Sequence, residues 1–560
     1  MTDAPKNQMI GREILEESAA HVGPYRCAPP QRRILVGALN SIPTASVETP
    51  PRTPRIEPAS GSGDPPAAPS RSLGGTVLKN SGIYLFGNLM QKATAFVLIP
   101  IYTTNLSTAQ YGLLELANTL VNLLLVTAAL GVPSAINKCF HRDCRDEMER
   151  RGLAGTAILF SLLTSGTLAL AGWALEARLA GLVFHGPEGV LIYRFCLVWL
   201  VLAQLALIPF ELLRASGRAR VYLGLSLAQL LAQFGCTLYL VLGRDLALVG
   251  VLAGNLAGLG VVNLVGGLVL FRHTSWRFDP RLLRTMIAYG LAMIPVFISS
   301  WVVNLSDRFF IQSYVGLGAL GIYALGYKFG ALIDLLLVMP FQRAWTPIFF
   351  GMTEDSDAPR ALARVTTYLA AALAFASVGV SLAVPPFLRL GASADFRSAS
   401  GIVPIICLAY LVGGLANCLG NGLIVAERVR LIAVYAVLAA LVNLALNVLL
   451  IPWLGTYGAA IATVLAFAVQ LGGVLRSLKR YYPVRLEWGR LGGVAVAAIL
   501  PLGAAFRLPS LPLTPDLLLR AALLAAFPAL LILLRVVQPE ETATARRLFG
   551  RLRSTIGGRL

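Results

Sequence analysis

Asn80–Gly112 reads NSGIYLFGNLMQKATAFVLIPIYTTNLSTAQYG, an apolar run long enough to cross a bilayer, followed by a short polar turn and the start of a second run. Lys92 lies near its middle. A cation at that depth is costly unless it faces a partner or a water-filled cavity. Two questions follow: why Lys92 is tolerated, and whether the chain repeats the arrangement.

Of 560 residues, 56% are hydrophobic and 13% charged, with a mean hydropathy of +0.70. That balance excludes an ordinary soluble domain and marks a polytopic membrane protein. The net charge of +19 is spread over short connections rather than gathered in a basic domain, so it reads as a topology signal and not as nucleic-acid binding. Seven cysteines, at 27, 139, 144, 196, 236, 407 and 418, form no CxxC pair and accompany only four histidines, so neither a disulfide framework nor a metal site is expected. Cys196, Cys236, Cys407 and Cys418 read as small buried apolar residues.

Residues 1–76, with stretches such as TPPRTPRIEPASGSGDPPAAPSRS, lack the apolar surface for a core and are expected to be a disordered tail. Fourteen spans follow, at about 80–103, 112–136, 152–174, 190–212, 221–243, 248–271, 287–312, 318–341, 364–388, 401–425, 430–452, 456–476, 489–507 and 516–537. Kinks are expected at Pro100, Pro133, Pro209, Pro295 and Pro404. Lys and Arg favour alternate connections about fourfold: Lys138 to Arg151, Arg214 to Arg220, Arg272 to Arg284, Arg343 to Arg364, Arg428 with Arg430, and Arg476 to Arg490 all fall on one side. Both termini are therefore placed in the cytoplasm.

The spans repeat. Tyr111-Gly112-Leu113 corresponds to Leu320-Gly321-Ile322, Arg218-Ala219-Arg220 to Arg428-Val429-Arg430, and Val249-Gly250-Val251 to Tyr457-Gly458-Ala459, at offsets of 209, 210 and 208. The expected fold is all-α: a six-helix bundle over 77–284, a pseudosymmetric second one over 285–480, two further helices over 481–538 and a basic tail over 539–560.

Two soluble-enzyme signatures dissolve in this context. The GxGxxG of Gly316–Gly321 lies between spans with no βαβ unit and reads as a turn, and the DxD of Asp355–Asp357 lies in a loop too short for a nucleotide-sugar domain. Without a P-loop, a GxSxG or a histidine pair, neither ATP hydrolysis nor enzyme activity is expected, nor any cofactor.

Chemistry is left to the ionisable residues inside spans: Lys92, Glu115, Asp307, Arg308, Lys328 and Asp334. Lys92 and Lys328 lie midway along spans of opposite halves, placed to receive an anionic head group in a central cleft. The alternative is internal pairing, Lys92 toward Glu115 and Lys328 toward Asp334. Lys328 and Asp334, six residues apart, do not share a helix face. Asp307-Arg308 reads either as a hydrated pair at the membrane edge or as part of the site. Asn88, Gln91, Asn118 and Asn122 offer polar groups for a sugar or for helix packing. Arg218, Arg220, Arg428 and Arg430 read as anchors at anionic lipid, with contact to a lipid phosphate as the other possibility. Gly250-x3-Gly254-x3-Gly258 signals close packing.

The runs Lys79–Ala117, Leu305–Gly330 (LSDRFFIQSYVGLGALGIYALGYKFG) and Glu427–Thr463 resemble the Wzx-type polysaccharide-transporter branch of the multidrug/oligosaccharidyl-lipid/polysaccharide (MOP) exporter superfamily. The resemblance implies a V-shaped pair of bundles alternating between inward- and outward-facing forms. It also implies a cargo, an undecaprenyl-diphosphate-linked oligosaccharide flipped across a bacterial inner membrane for surface or exopolysaccharide assembly, with a polymerase and export machinery as partners. Lys92 and Lys328, with Asn88, Gln91, Asn118 and Arg308, are the candidates for cargo binding. Glu115, Asp334 and Asp307 are the candidates for ion coupling. A lipid II flippase or a cation-coupled multidrug antiporter would share the fold; a membrane glycosyltransferase or polymerase would need a large extramembrane domain that this chain lacks.

Overall fold

The computed structural model describes Gly87 and residues 96–144, 146–184, 188–271, 274–352, 357–508 and 511–538. Both tails and most of the first span, including Asn88, Gln91 and Lys92, lie outside these residues.

The first span ends in α1 (Ile99–Asn105), and thirteen helical segments long and apolar enough to cross a membrane follow among the described residues. They are α2 (Thr108–Ala129), α3 (Glu147–Ala174), α4 (Gly189–Ala215), α5 (Ala219–Leu242), α6 (Ala247–Phe271), α7 (Pro280–Tyr314), α8 (Leu317–Gly351), α9 (Ala358–Gly391), α10 (Val403–Val425), α11 (Val429–Leu454), α12 (Thr456–Tyr481), α13 (Trp488–Phe506) and α14 (Leu513–Leu533). Helices are the solution that apolar surroundings impose, because each satisfies its own backbone groups. Where the backbone meets polar surroundings, side chains take over. Ser107 and Gln110 close a reciprocal capping box at the start of α2, and Asp146 and Asp279 cap α3 and α7.

The proline expectations hold in part. Pro209 and Pro295 lie inside helices, but Pro100, Pro133 and Pro404 occupy first turns. Proline lacks the N–H that a first turn leaves unused, so it starts these helices instead of bending them. Span 2 is consequently broken: α2 stops at Leu130 and Gly131, both left-handed, before a separate helix Val132–Lys138.

Helix packing displays the repeat. Within the first half α2 packs on α4, α3 on α4, α4 on α6 and α5 on α6; within the second, α8 packs on α10, α9 on α10, α10 on α12 and α11 on α12. Each contact recurs six spans later. α13 and α14 pack on each other and on α9. The glycine row of α6 faces α5, where Gly254 lies against Thr237 and Gly258 against Gln233. All six described cysteines are free thiols; Cys196, Cys407 and Cys418 are buried and Cys236 is partly exposed.

The two bundles meet most closely where α2 crosses α8. A Cβ on Gly112 would overlap the Leu317 carbonyl and lie 3.2 Å from the Gly321 nitrogen; a Cβ on Gly321 would overlap the Thr108 carbonyl and lie 3.1 Å from the Gly112 nitrogen. These contacts are reciprocal under the offset of the repeat, so equivalent residues of the two halves touch each other across the pseudo-two-fold axis. The GxGxxG run is therefore the start of α8, and its last glycine is the point of contact. A second backbone approach joins Gly131 to Gly290 of α7, at the other end of α2.

Gly112→Val or Gly321→Val should lower the Tm of the detergent-purified protein, with an overpacking cost of ~1–3 kcal/mol. Gly224→Ala, where a Cβ meets open space, should leave Tm unchanged or slightly raised.

Candidate functional site

Just below the glycine crossing, Lys328 of α8 reaches into the other half. Its ammonium forms an ion pair with Glu115 of α2 and donates to the Tyr111 hydroxyl at 2.9 Å, lying 4.9 Å from the centre of the same ring. The Glu115 side chain is 7% exposed and that of Lys328 24%, so the pair is largely dry. Lys328 therefore pairs internally, but with a carboxylate of the opposite bundle and not with Asp334. Helix geometry explains this: Glu115 is one turn beyond Tyr111 and Gly112 on α2, facing α8, whereas Asp334 is turned away from Lys328 along α8.

Asp307 and Arg308 form a second, fully buried pair, 2.7 Å apart. The hydrated membrane-edge reading is thus overturned. A break at Ser306 opens the helical segment Asp307–Tyr314 inside the protein, where Asp307 accepts from the Tyr323 hydroxyl. Arg308 donates to the Asn304 carbonyl at 2.6 Å and lies 4.5 Å from the Tyr327 ring. The Tyr327 and Tyr410 hydroxyls each donate to the Asn304 side-chain oxygen at 3.1 Å. Arg308 is accordingly walled in by Asn304 and Tyr327 and holds them in place.

Asn304 and Tyr410 open onto a cavity of about 430 Å³, also lined by Ser299, Ser300, Asp334, Gln342, Arg343, Asn417 and Gln470. Asp334 heads a short π-helical turn, Asp334–Val338, which shifts the register of α8 between Lys328 and the lower helix Met339–Gly351. Such insertions frequently mark functional positions. Asn118 is half-buried and spends its amide on the Leu114 carbonyl of its own helix, 3.2 Å away; Asn122 does likewise toward Asn118. Lys92, Asn88 and Gln91 lie outside the described residues.

The structure thus joins Lys328 to Glu115 and Asp307 to Arg308, and places Asp334 on a polar cavity. Sequence reasoning passed over Tyr111, Asn304, Tyr323, Tyr327 and Tyr410, together with Gln342, Arg343, Asn417 and Gln470 on the cavity wall. A signal existed for Asn304, Asn417 and Gln470, which are hydrogen-bonding side chains within spans, whereas Gln342 falls one residue past the end of the span at 318–341. In the sequence Arg343 reads only as a topology charge.

Residues 77–353 match the family model described as polysaccharide biosynthesis protein. A Haloferax volcanii protein described as a probable low-salt glycan biosynthesis flippase, Agl15, is 21% identical over 77% of this chain and 89% of its own length. The residues that the family model matches make up just under half of the chain. The chain is similar in fold to two solved proteins. Lipid II flippase MurJ in an inward closed conformation has a TM-score of 0.64 at 12% identity, covering 81% of this chain and 98% of its own. A multidrug resistance MATE family transporter in an inward-facing conformation has 0.54 at 14%, covering 70% and 94%. The fold shared with these structures is the one observed here: thirteen membrane-length segments among the described residues, arranged as two repeated bundles with α13 and α14 packed on the second.

The Lys328–Glu115 pair ties the bundles together at a dry seam. Lys328→Met should strand the Glu115 carboxylate and destabilise the protein by ~3–5 kcal/mol. Glu115→Gln/Lys328→Met should recover most of that loss, seen as a return of Tm toward wild type in detergent.

Proposed function

We propose that this protein flips an undecaprenyl-diphosphate-linked oligosaccharide across the bacterial plasma membrane, supplying surface or exopolysaccharide assembly. The observation that carries the reading is the chemistry at and beside the seam. Amide groups of Asn304, Gln342, Asn417 and Gln470 and the hydroxyls of Ser300 and Tyr410 suit a glycan, and Arg343 brings a cation to the same wall. The isoprenoid tail remains in lipid.

Lys328 is the switch in this reading. An arriving diphosphate competes with Glu115 for its ammonium, because both are anions at a site of low dielectric. When the phosphate wins, the tie between the bundles weakens and the seam opens. Lys92, from the other half, is the proposed second phosphate ligand; Asn88, Gln91 and Asn118 are proposed glycan contacts, with Arg308 acting from behind Asn304. Glu115, Asp334 and Asp307 are the proposed sites of ion coupling, Glu115 foremost because protonation would release Lys328. The same reading divides the bundles at 284/285 and 480/481, puts both termini in the cytoplasm, and makes a polysaccharide polymerase the downstream partner.

In a flippase-deficient strain, Lys92→Ala, Lys328→Met and Arg343→Ala should each lower glycan export about tenfold or more, the scale of one lost charge-assisted contact of ~1.5–3 kcal/mol. Glu115→Gln/Lys328→Met separates fold from function: it should accumulate in the membrane and still fail to export. Full export by the Lys92 and Lys328 variants would overturn the assignment. Rescue of a strain lacking a lipid II flippase instead would move the cargo to lipid II.

A further inference from the structure

A second polar recess, of about 400 Å³, lies apart from the seam and its cavity, in the first bundle at the arginine-rich side of the membrane. Its wall is assembled from the start of α3 (Glu147, Arg150, Arg151), the preceding segment (Phe140, His141), the α4–α5 turn (Ser216, Arg218) and the end of α6 (Leu270). Three arginines and a histidine thus surround one carboxylate. That carboxylate is already engaged, since Glu147 lies 3.6 Å from Arg151.

The arginines are held by the fold. Arg150 lies with its guanidinium carbon 4.8 Å from the centre of the Phe140 ring, and its Nε is buried without a hydrogen-bond partner. A buried guanidinium N–H left unmade is costly, and an oxyanion satisfies it directly. Arg151 is pinned through its backbone, whose carbonyl accepts from the Ser275 N–H at 3.0 Å. Arg218 follows the left-handed Gly217, which turns the chain sharply between α4 and α5. Arg151 and Arg218 reach solvent, and with the partly buried Arg150 they line one concave wall floored by Ala154, Leu212 and Leu270.

We propose that this recess is a binding site for a phosphate group, with Arg150 and Arg218 as its principal ligands. Basic pockets between transmembrane helices bind lipid phosphates in this manner. A soluble phosphate compound offers the same chemistry. The site does not depend on the flippase reading: it shares no lining residue with the polar cavity beside the seam.

The test uses the full chain purified in detergent, with phosphatidylglycerol and phosphatidylcholine as lipid probes followed by native mass spectrometry, and inorganic pyrophosphate as the soluble probe. Wild type should retain one phosphatidylglycerol about tenfold more strongly than Arg150→Gln/Arg218→Gln, as expected for loss of charge-assisted bonds. Glu147→Gln, which removes the competing carboxylate, should tighten binding and serves if the double variant does not fold. Displacement by pyrophosphate would make the natural ligand a soluble phosphate; resistance to it would make it a lipid headgroup. Equal retention by wild type and the double variant, failure of Glu147→Gln to tighten binding, or no retention of either phosphate probe would overturn the site.

Discussion

The structure depends on one crossing: α2 against α8 at Gly112 and Gly321, backbone to backbone, with Lys328, Glu115 and Tyr111 sealing it one turn deeper. Equivalent positions of a duplicated chain meet there, so the contact is self-complementary and both glycines are required by the same geometry. Glycine gives the approach without conferring polarity, and the ion pair gives specificity without much net stability. A buried pair roughly breaks even against well-packed apolar residues, while either charge left alone is severely unfavourable. An interaction that is nearly neutral when made and costly when half-made suits a joint between bodies that must exchange partners. Tyr111 adds to this by presenting its ring face to the same ammonium and accepting a hydrogen bond from it at the hydroxyl, holding Lys328 toward the other half.

Each of the thirteen membrane-crossing segments was legible in the sequence, because the thickness of hydrocarbon sets helix length and the arginine-rich connections punctuate it. The repeat was legible too, and it held the answer to a question that the linear reading left open. Tyr111-Gly112 and Leu320-Gly321 stood out as matched landmarks, yet only the structure shows that they touch. Once they touch, the partner of Lys328 follows from helical phase: Glu115 lies one turn past Tyr111 on the facing helix. Spacing along α8 could exclude Asp334 as a partner but could not supply one from another element.

The burial of Asp307 and Arg308 was hidden for a different reason. Their place at the end of an apolar run resembles a membrane edge, and nothing local reveals that the helix restarts at Ser306 or that Tyr323 and Tyr327, 16 and 19–20 residues on, close over them. The cavity wall was obscured by chemistry of the ordinary kind, since single amides in membrane helices serve packing as readily as binding. With Asn304 anchored by Arg308, Tyr327 and Tyr410, the wall is rigid where it meets the seam. The ion pair and the cavity are therefore linked through α7 and α8, and a change at one alters the helices that bear the other.

If the α2–α8 crossing parts during each cycle of the proposed transport, holding it shut must stop export. A Cβ placed on Gly318 lies 3.3 Å from the Thr108 Oγ1, which brings the two positions within the reach of a Thr108→Cys/Gly318→Cys disulfide. In a background with the seven native cysteines replaced, export by this variant should stop on oxidation and resume on reduction. Undiminished export by the fully cross-linked protein would contradict it.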